Sequence, residues 1–339
     1  MKSRRHQAAD QRRRKLLAML ADGERYSGEQ LAKQLRVTRS AVWKLIRNLR
    51  DTGIDIQAVA HQGYQLSRPV QLYDEQLIRD AVSERARAVL DRVDALLTVD
   101  STNRYLADVA MAAPGQASVC VAEVQTAARG RRGRSWFAPF GSGVSLSLGW
   151  QFEESPPNFS ALSLAVGVAV IRALQRLGCS LAQLKWPNDV VSRNKKLAGI
   201  LIDMRGESSG PARVVIGIGL NLHMPAEARV KLAEQQALLV TDLHEATQGR
   251  PPERNALVGA MIDELILALR LFERSGFAEF EAEWQQLDSL RNAPVRVLAA
   301  NETILGVARG VASDGALLVE VNGQLQRFMS GDVSLRPAQ

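Results

Sequence analysis

Over the first seventy positions, apolar residues recur in short amphipathic blocks. Lys15 to Ala21 (KLLAMLA) carries one brief helical stripe. Ser27 to Gln30 (SGEQ) has capping-box spacing, in which the serine and glutamine side chains each satisfy the other's backbone N–H, so a second helix, GEQLAKQL, is predicted there. After the turn RVTRS, Val42, Leu45, Ile46 and Leu49 follow at i, i+3, i+4 and i+7 and form one apolar face. Arg39, Ser40, Trp43, Lys44 and Arg47 fall largely on the other. Beyond Gly53, the runs IDIQAV and GYQLS flank HQG like the strands of a small hairpin. This order predicts an N-terminal winged helix-turn-helix whose third helix offers a polar face to nucleic acid, with Ser27, Thr38, Arg39, Ser40, Trp43, Lys44 and Arg47 as candidate DNA contacts. Trp43 leaves three readings open: packing on an aliphatic neighbour, touching DNA, or tilting back into the small core.

After Pro69 the period changes. Strand-like ASVCVAEV (117–124) and GVSLSLGW (143–150) precede a long helical run at 158–178. AGILIDM (198–204) and RVVIGIGLNL (213–222) follow, then helices around 253–274 and 277–287. This is the pattern of a mixed α/β domain. The 158–178 helix is apolar around much of its circumference, so it is expected against the sheet in a packing role.

Charge sharpens the division. Residues 1–50 hold 14 Lys and Arg against 4 Asp and Glu, a net of +10, so the remainder of the chain, with a total of +7, is net −3. Basic charge gathered on one small module is the footprint of nucleic-acid binding, with a solubilising tail as the alternative. Hydrophobic residues at 46% and charged residues at 23% exclude a disordered chain. Cys120 and Cys179 sit in apolar stretches without ligand spacing and read as buried, reduced thiols. The basic start lacks a small-residue cleavage site, and the apolar stretch 161–177 is broken by Arg172, Gln175 and Arg176, so a soluble cytoplasmic protein with no membrane partner is expected.

Candidate chemistry is concentrated in two motifs. Arg129 to Arg134 reads RGRRGR: the guanidiniums suit carboxylate or phosphate, and Gly130 and Gly133 allow backbone N–H groups to approach an anion. It matches neither a Walker A loop nor a dinucleotide fingerprint, and an RNA-binding loop is the other reading. Lys185 to Asp189 (KWPND) brings a cation, a stiff turn and two oxygen-bearing side chains together, which suits a phosphate with its magnesium or, more simply, a surface turn. The glycines of GIGLN (217–221) signal a close approach to a strand backbone. His6, His61, His223 and His244 are scattered and no nucleophile motif is present, so catalysis by positioning and charge stabilisation is expected.

Taken in order, SGEQLAKQLRVTRSAVWKLI, DSTN, RGRRGR, KWPND, KLAGIL and GIGLN resemble the bifunctional biotin protein ligases and biotin-operon repressors of the BirA type, from about residue 15 onward. The resemblance implies an α+β multidomain chain: a winged helix-turn-helix at 1–67, a class II synthetase-like ligase domain at 68–290 and an SH3-like β-barrel at 291–339. It implies ATP and Mg2+ as cofactors, biotin as substrate and corepressor precursor, and biotin carboxyl carrier protein and operator DNA as partners. A ligand-induced homodimer is also implied. Biotinyl-5′-AMP would form first and its biotin then pass to a carrier lysine. By motif, Ser101, Thr102, Asn103 and Gln125 bind the biotin head. Arg129, Gly130 and Arg131 close over it, with Lys185 and Arg131 catalytic. Arg132, Trp136, Asn188, Asp189 and Asn221 serve ATP, and Asp189 the metal. Two departures stand out. Ala128 stands where the family often has glycine, and the expected adenylate lid at 222–245 has no aromatic residue, leaving Leu238, Leu239 or Val240 to cover adenine. Alternatives from other classes are a non-catalytic biotin sensor and a lipoate-attaching relative. Deleting residues 1–67 is expected to spare much of the ligase chemistry.

Overall fold

The computed structural model describes residues 2–59, 62–109, 112–154, 156, 158–205, 212–236, 239–298, 302–329 and 334–337. Its first part is α1 (Lys2–Leu20), α2 (Gly28–Leu35), α3 (Arg39–Asp51) and the antiparallel hairpin β1 (Ile56–Val59) and β2 (Gly63–Leu66). Helix α1 extends far ahead of the predicted stripe because its arginines, glutamines and alanines favour helix without carrying an apolar period. The capping box is present: Gln30 N–H donates to Ser27 Oγ at 3.1 Å, and Ser27 N–H donates to Gln30 Oε1 at 2.7 Å. Thr38 caps α3 by its side chain alone, accepting from Ala41 N–H at 3.2 Å. His61, in the expected wing turn, lies outside the described residues.

The middle of the chain contains α4 (Glu75–Ala81), α5 (Glu84–Arg87), β3 (Leu90–Val99), α6 (Thr102–Asp108), β4 (Ala117–Gln125), β5 (Gly143–Gln151) and α7 (Leu162–Arg176). It continues through β6 (Gln183–Lys185), β7 (Asp189–Ser192), β8 (Lys195–Arg205), β9 (Arg213–Asn221), α8 (Ala226–Gln236), α9 (Leu243–Ala246), α10 (Arg254–Ser275) and α11 (Ala278–Leu287). Seven strands form one sheet in the order β3-β4-β5-β9-β8-β7-β6, parallel between β3 and β4 and antiparallel elsewhere. Strand β3 escapes the sequence pattern because a register shift between Leu90 and Arg92 breaks the alternation, so that Leu90 and then Val93, Ala95 and Leu97 turn inward. Val144, Leu146 and Leu148 of β5 and Val214, Ile216, Ile218 and Leu220 of β9 share one buried core with α7 and α10. Helix α7 is the packing helix the pattern predicts. Both cysteines are unpaired and buried.

On the opposite face, the middle of β5, β9 and β8 is built mostly from serines and glycines. Ser147 pairs with Gly217, which pairs with Leu201; Ser145 pairs with Gly219, which pairs with Gly199. These two rows make a low, flat floor.

The last strands, β10 (Pro294–Leu298), β11 (Thr303–Val311), β12 (Leu317–Val321), β13 (Gln324–Phe328) and β14 (Ser334–Pro337), are antiparallel in the order β13-β12-β11-β10-β14. The expected SH3-like barrel is not formed: among the described residues the sheet is open, because β14 adds to the β10 edge and no ladder joins it to β13. The physical reason lies in its inner face. Val295, Val297, Ala308, Val319 and Leu335 bury into the same core as α7 and α10, so the sheet packs on the central part rather than around itself. The hairpin connections turn at Asp314-Gly315 and at Asn322-Gly323, and Asn322 and Gly323 adopt φ of 52° and 80°, as a two-residue turn with left-handed positions requires.

The N-terminal part is not separate. Leu97 of β3 and Val124 of β4 belong to the same buried cluster as Leu16, Leu20, Val42, Ile46 and Leu66, and Arg14 donates to the Ala95 carbonyl.

Candidate active site and DNA-reading face

A cavity of about 520 Å³ opens over the small-residue floor. The glycines of that floor are occupied by the chain's own side chains. A Cβ on Gly219 would stand 2.3 Å from Trp136 Cε2, and one on Gly217 would stand 2.3 Å from Asn103 Oδ1. Trp136 therefore packs directly on Gly219 and reaches its partner Gly199, an aromatic surface against which a planar ring could stack.

At one end of the cavity the polar groups interlock. Thr102 N–H and Oγ–H both donate to Gln125 Oε1, at 2.8 and 3.1 Å. Ser101 caps α6. The buried Ser147 hydroxyl lies 2.7 Å from Thr102 Oγ1 and 2.6 Å from Asn103 Oδ1, and Asn103 Nδ2 donates to Asp203 Oδ2 at 2.7 Å. This compact array of hydroxyls and amides suits a small ring bearing both donors and an acceptor.

The other walls are cationic. A β-bridge between Arg129 and Ser135 closes the arginine loop, Gly130 N–H donates to the Arg134 carbonyl at 2.6 Å, and Arg132 and Gly133 take φ of 56° and 70°. The loop is thus folded back over the cavity. Arg131 donates to Asn188 Oδ1 at 3.3 Å, and Asn188 in turn donates to the Ile200 carbonyl at 2.7 Å. Lys196 Nζ reaches Asp189 Oδ1 at 2.6 Å and stands 5.6 Å from the Trp136 ring centre. Burial lowers the Lys185 ammonium below the ordinary lysine range; Asp189 opposes this, while Arg336 and Lys196 push the same way as burial. Burial and then Arg132 likewise lower Arg131. Cations held this close disfavour one another until an anion enters.

The residues assigned from sequence to biotin and ATP line this cavity: Ser101, Thr102, Asn103 and Gln125 at the polar end, Arg129, Gly130, Arg131, Arg132 and Trp136 from the loop, and Lys185, Asn188, Asp189 and Asn221 opposite. The Asn221 amide is committed to backbone, donating to the Thr241 carbonyl at 3.0 Å. In the expected lid, Val240 and Leu232 line the cavity, Leu239 is exposed to solvent, and Leu238 lies outside the described residues. Sequence reasoning missed Ser147, Lys196 and Arg336. Lys196 stood inside a quoted motif, whereas Arg336 reaches the cavity from β14, which has no local signal.

On the N-terminal part, Thr38, Arg39, Ser40, Trp43, Lys44 and Arg47 are all exposed on or beside α3, and Ser27 is half-buried at the start of α2. Trp43 is 52% exposed, with the Arg47 guanidinium 5.7 Å from its ring centre, so it does not tilt into the core.

Known families match along the chain. An HTH domain matches at 12–65, the biotin/lipoate A/B protein ligase family at 96–221 and the biotin protein ligase C-terminal domain at 292–336. The fold and cavity are thus those of the biotin ligase class, joined to a helix-turn-helix. The Escherichia coli K12 bifunctional ligase/repressor BirA is 40% identical over 326 residues, covering 96% of this chain and 97% of the relative. The Mycobacterium tuberculosis biotin--[acetyl-CoA-carboxylase] ligase is 32% identical over 267 residues, covering 77% and 94%. A solved Aquifex aeolicus biotin protein ligase in complex with biotin and ATP superposes with a TM-score of 0.60 at 26% identity, over 73% of this chain and all of that one. The chain belongs to the BirA family of bifunctional biotin ligase/repressors.

Proposed function

We infer that the chain carries out the two half-reactions of an ATP-dependent biotin ligase and that its adenylate governs repression through the N-terminal part. The ligase activity, the formation of biotinyl-AMP and the linked repressor role are those of its family. The observation that carries the site reading is the joining of a hydroxyl and amide array to a cationic wall across one cavity. Ser101, Thr102, Asn103 and Gln125 are assigned to the biotin head, which orients the valeryl carboxylate toward Lys185. The carboxylate oxygen attacks the α-phosphorus of ATP, the bond to the leaving phosphate breaks, and pyrophosphate departs. Lys185 and Arg131 stabilise the charge that develops there. Trp136 offers the adenine its face. The neutral ε-amine of a carrier lysine then attacks the biotinyl carbonyl and AMP leaves.

Magnesium fits this wall only as an ion that arrives with the triphosphate. Among the described residues no cluster of three His, Cys, Asp or Glu side chains exists, and Mg2+ needs only a carboxylate or two beside phosphate oxygens. Asp189 and Asn188 would hold it, and it would neutralise triphosphate charge.

The division into 1–67, 68–290 and 291–339 is proposed for DNA reading, ligation and completion of the ATP and carrier surface. The exposed side chains Thr38, Arg39, Ser40, Trp43, Lys44 and Arg47, with Ser27 beside them, would face operator DNA. Phosphate contacts by the basic ones would make binding weaken steeply with salt. A homodimer ordered by the adenylate would join two half-sites, and the cytoplasm is the compartment where carrier and operator are both found.

The test is purified protein with ATP, labelled biotin and a biotin carrier domain. Label on one carrier lysine is the expected result. Tight binding of biotin with neither pyrophosphate release nor transfer would leave a sensor rather than an enzyme.

A further inference from the structure

We propose that Asp203, which does not line the cavity, is a positioning residue for biotin recognition because it fixes the orientation of the Asn103 amide. This rests on the assignment of Ser101 to Asn103, with Gln125, to the biotin head. An amide can turn over and exchange its donor for its acceptor, so a binding site that needs one orientation must hold it from behind. Asp203 does so. Its carboxylate is acceptor-only, and its Oδ2 takes the Asn103 Nδ2 donor at 2.7 Å. A second, weaker acceptor on the same side is the Leu201 carbonyl, at 3.4 Å from Nδ2.

With the NH2 end drawn to Asp203, Oδ1 is turned to the Ser147 hydroxyl at 2.6 Å. Ser147 has one proton, and Thr102 Oγ1 lies 2.7 Å away as its other acceptor. The carboxylate thereby decides, two side chains away, how a buried proton is shared between Asn103 and Thr102, and so how much acceptor capacity Thr102 keeps for a ligand N–H. The backbone enforces the same path. Ser147, Gly217 and Leu201 are one cross-strand row, Asn103 lies over Gly217 with no room for a Cβ beneath it, and Asp203 follows two residues after Leu201 on the same face of β8. Asp203 is exposed on its outer side, so its replacement leaves the core untouched.

The experiment measures pyrophosphate release with biotin and with ATP varied in turn, on D203N, D203E, N103A and the double variant N103A/D203N, with thermal melts to check folding. Loss of one charge-assisted hydrogen bond that is partly open to water predicts a roughly fivefold to tenfold rise in biotin KM for D203N. Its kcat and ATP KM should stay within twofold, and D203E should recover most of the loss. In the N103A background, D203N should add nothing. A D203N variant with wild-type biotin KM, or one whose effect persists undiminished without the Asn103 side chain, overturns the role of Asp203 while leaving the site assignment intact. Wild-type biotin KM in N103A overturns the assignment of Asn103 itself, and the proposal with it.

Discussion

Arg131 donates to Asn188 Oδ1 at 3.3 Å, so the arginine loop already reaches across the cavity to the KWPND turn. A bond at that distance is long enough to yield when an anion competes for the guanidinium. Biotinyl-AMP is a reactive anhydride that must be kept from water and stray amines, and retaining it is the role proposed for this loop. Replacing Arg131 by Gly removes the fork of donors and loosens the backbone, so adenylate should form and escape faster. Incubation with biotin, ATP and albumin should show more bystander labelling than wild type. Equal labelling, with adenylate still made, would reduce Arg131 to a phosphate-positioning role.

Lys185 is the residue proposed to stabilise charge at the reacting carboxylate. Lys185→Ala should fold normally and lose roughly 10²–10³ in adenylation rate, the usual effect of removing one charge-stabilising contact. Burial lowers this ammonium, so its cation is lost at a lower pH than that of a free lysine. Adenylation should therefore fall on the alkaline side before ordinary lysines titrate, and Lys185→Arg should move that limb upward. Wild-type pyrophosphate release from Lys185→Ala would remove the residue from the mechanism.

The two floor glycines should separate the two substrates. A Cβ at Gly219 meets Trp136 and one at Gly217 meets Asn103, each at 2.3 Å. Gly219→Ala is expected to raise ATP KM several-fold with little change for biotin, and Gly217→Ala to do the reverse. Substrate-saturation curves for both variants test this, and a crossed pattern would exchange the two ends of the cavity.

Asp288 gives a stability test away from the chemistry. Burial pushes its carboxyl up to about 6, Leu290 N–H donates to Oδ1 at 3.0 Å, and Oδ2 has no hydrogen-bond partner among the described residues. The folded state keeps the proton up to about pH 6, whereas the unfolded chain releases it near 3.8, so stability falls as pH rises through that window. Asp288→Asn should be more stable than wild type at pH 7.5, by at most about 3 kcal/mol, with that advantage shrinking to well under about 1 kcal/mol near pH 4. Denaturant melts at the two pH values measure the difference. A variant less stable at pH 7.5 would show that the carboxylate has a compensating partner.

Local patterns made the helix-turn-helix legible, because capping at Ser27 and the periodicity of α3 are decided within a few residues. The same holds for the loop and turn motifs, whose composition departs from that of ordinary connections. What stayed hidden depends on distant parts of the chain. Strand β3 was masked by its bulge, Ser147 had an unremarkable place in an alternating strand, and Arg336 enters the cavity only because β14 pairs with β10. The barrel expectation failed for the same reason. A short run of strands with good turns does not reveal whether its apolar face will close on itself or lie on a neighbour, and here Val295, Val297 and Leu335 chose the neighbour.

The sharing of Leu97 and Val124 with the core of the first three helices bears on how the molecule comes apart. Two strands that end at the assigned biotin residues are partly roofed by the DNA-reading module, so cutting at residue 67 strips apolar surface from β3 and β4 instead of parting a linker. The truncated ligase should then be prone to aggregate and lose activity through instability, contrary to the separability its sequence suggests. In the intact protein the same contact should join the cooperativity of the two halves. A calorimetric scan should show a single endotherm covering both, and saturating biotin with ATP should raise the melting of α1 to α3 together with that of the sheet, because a ligand held by one part of a common folding unit stabilises all of it.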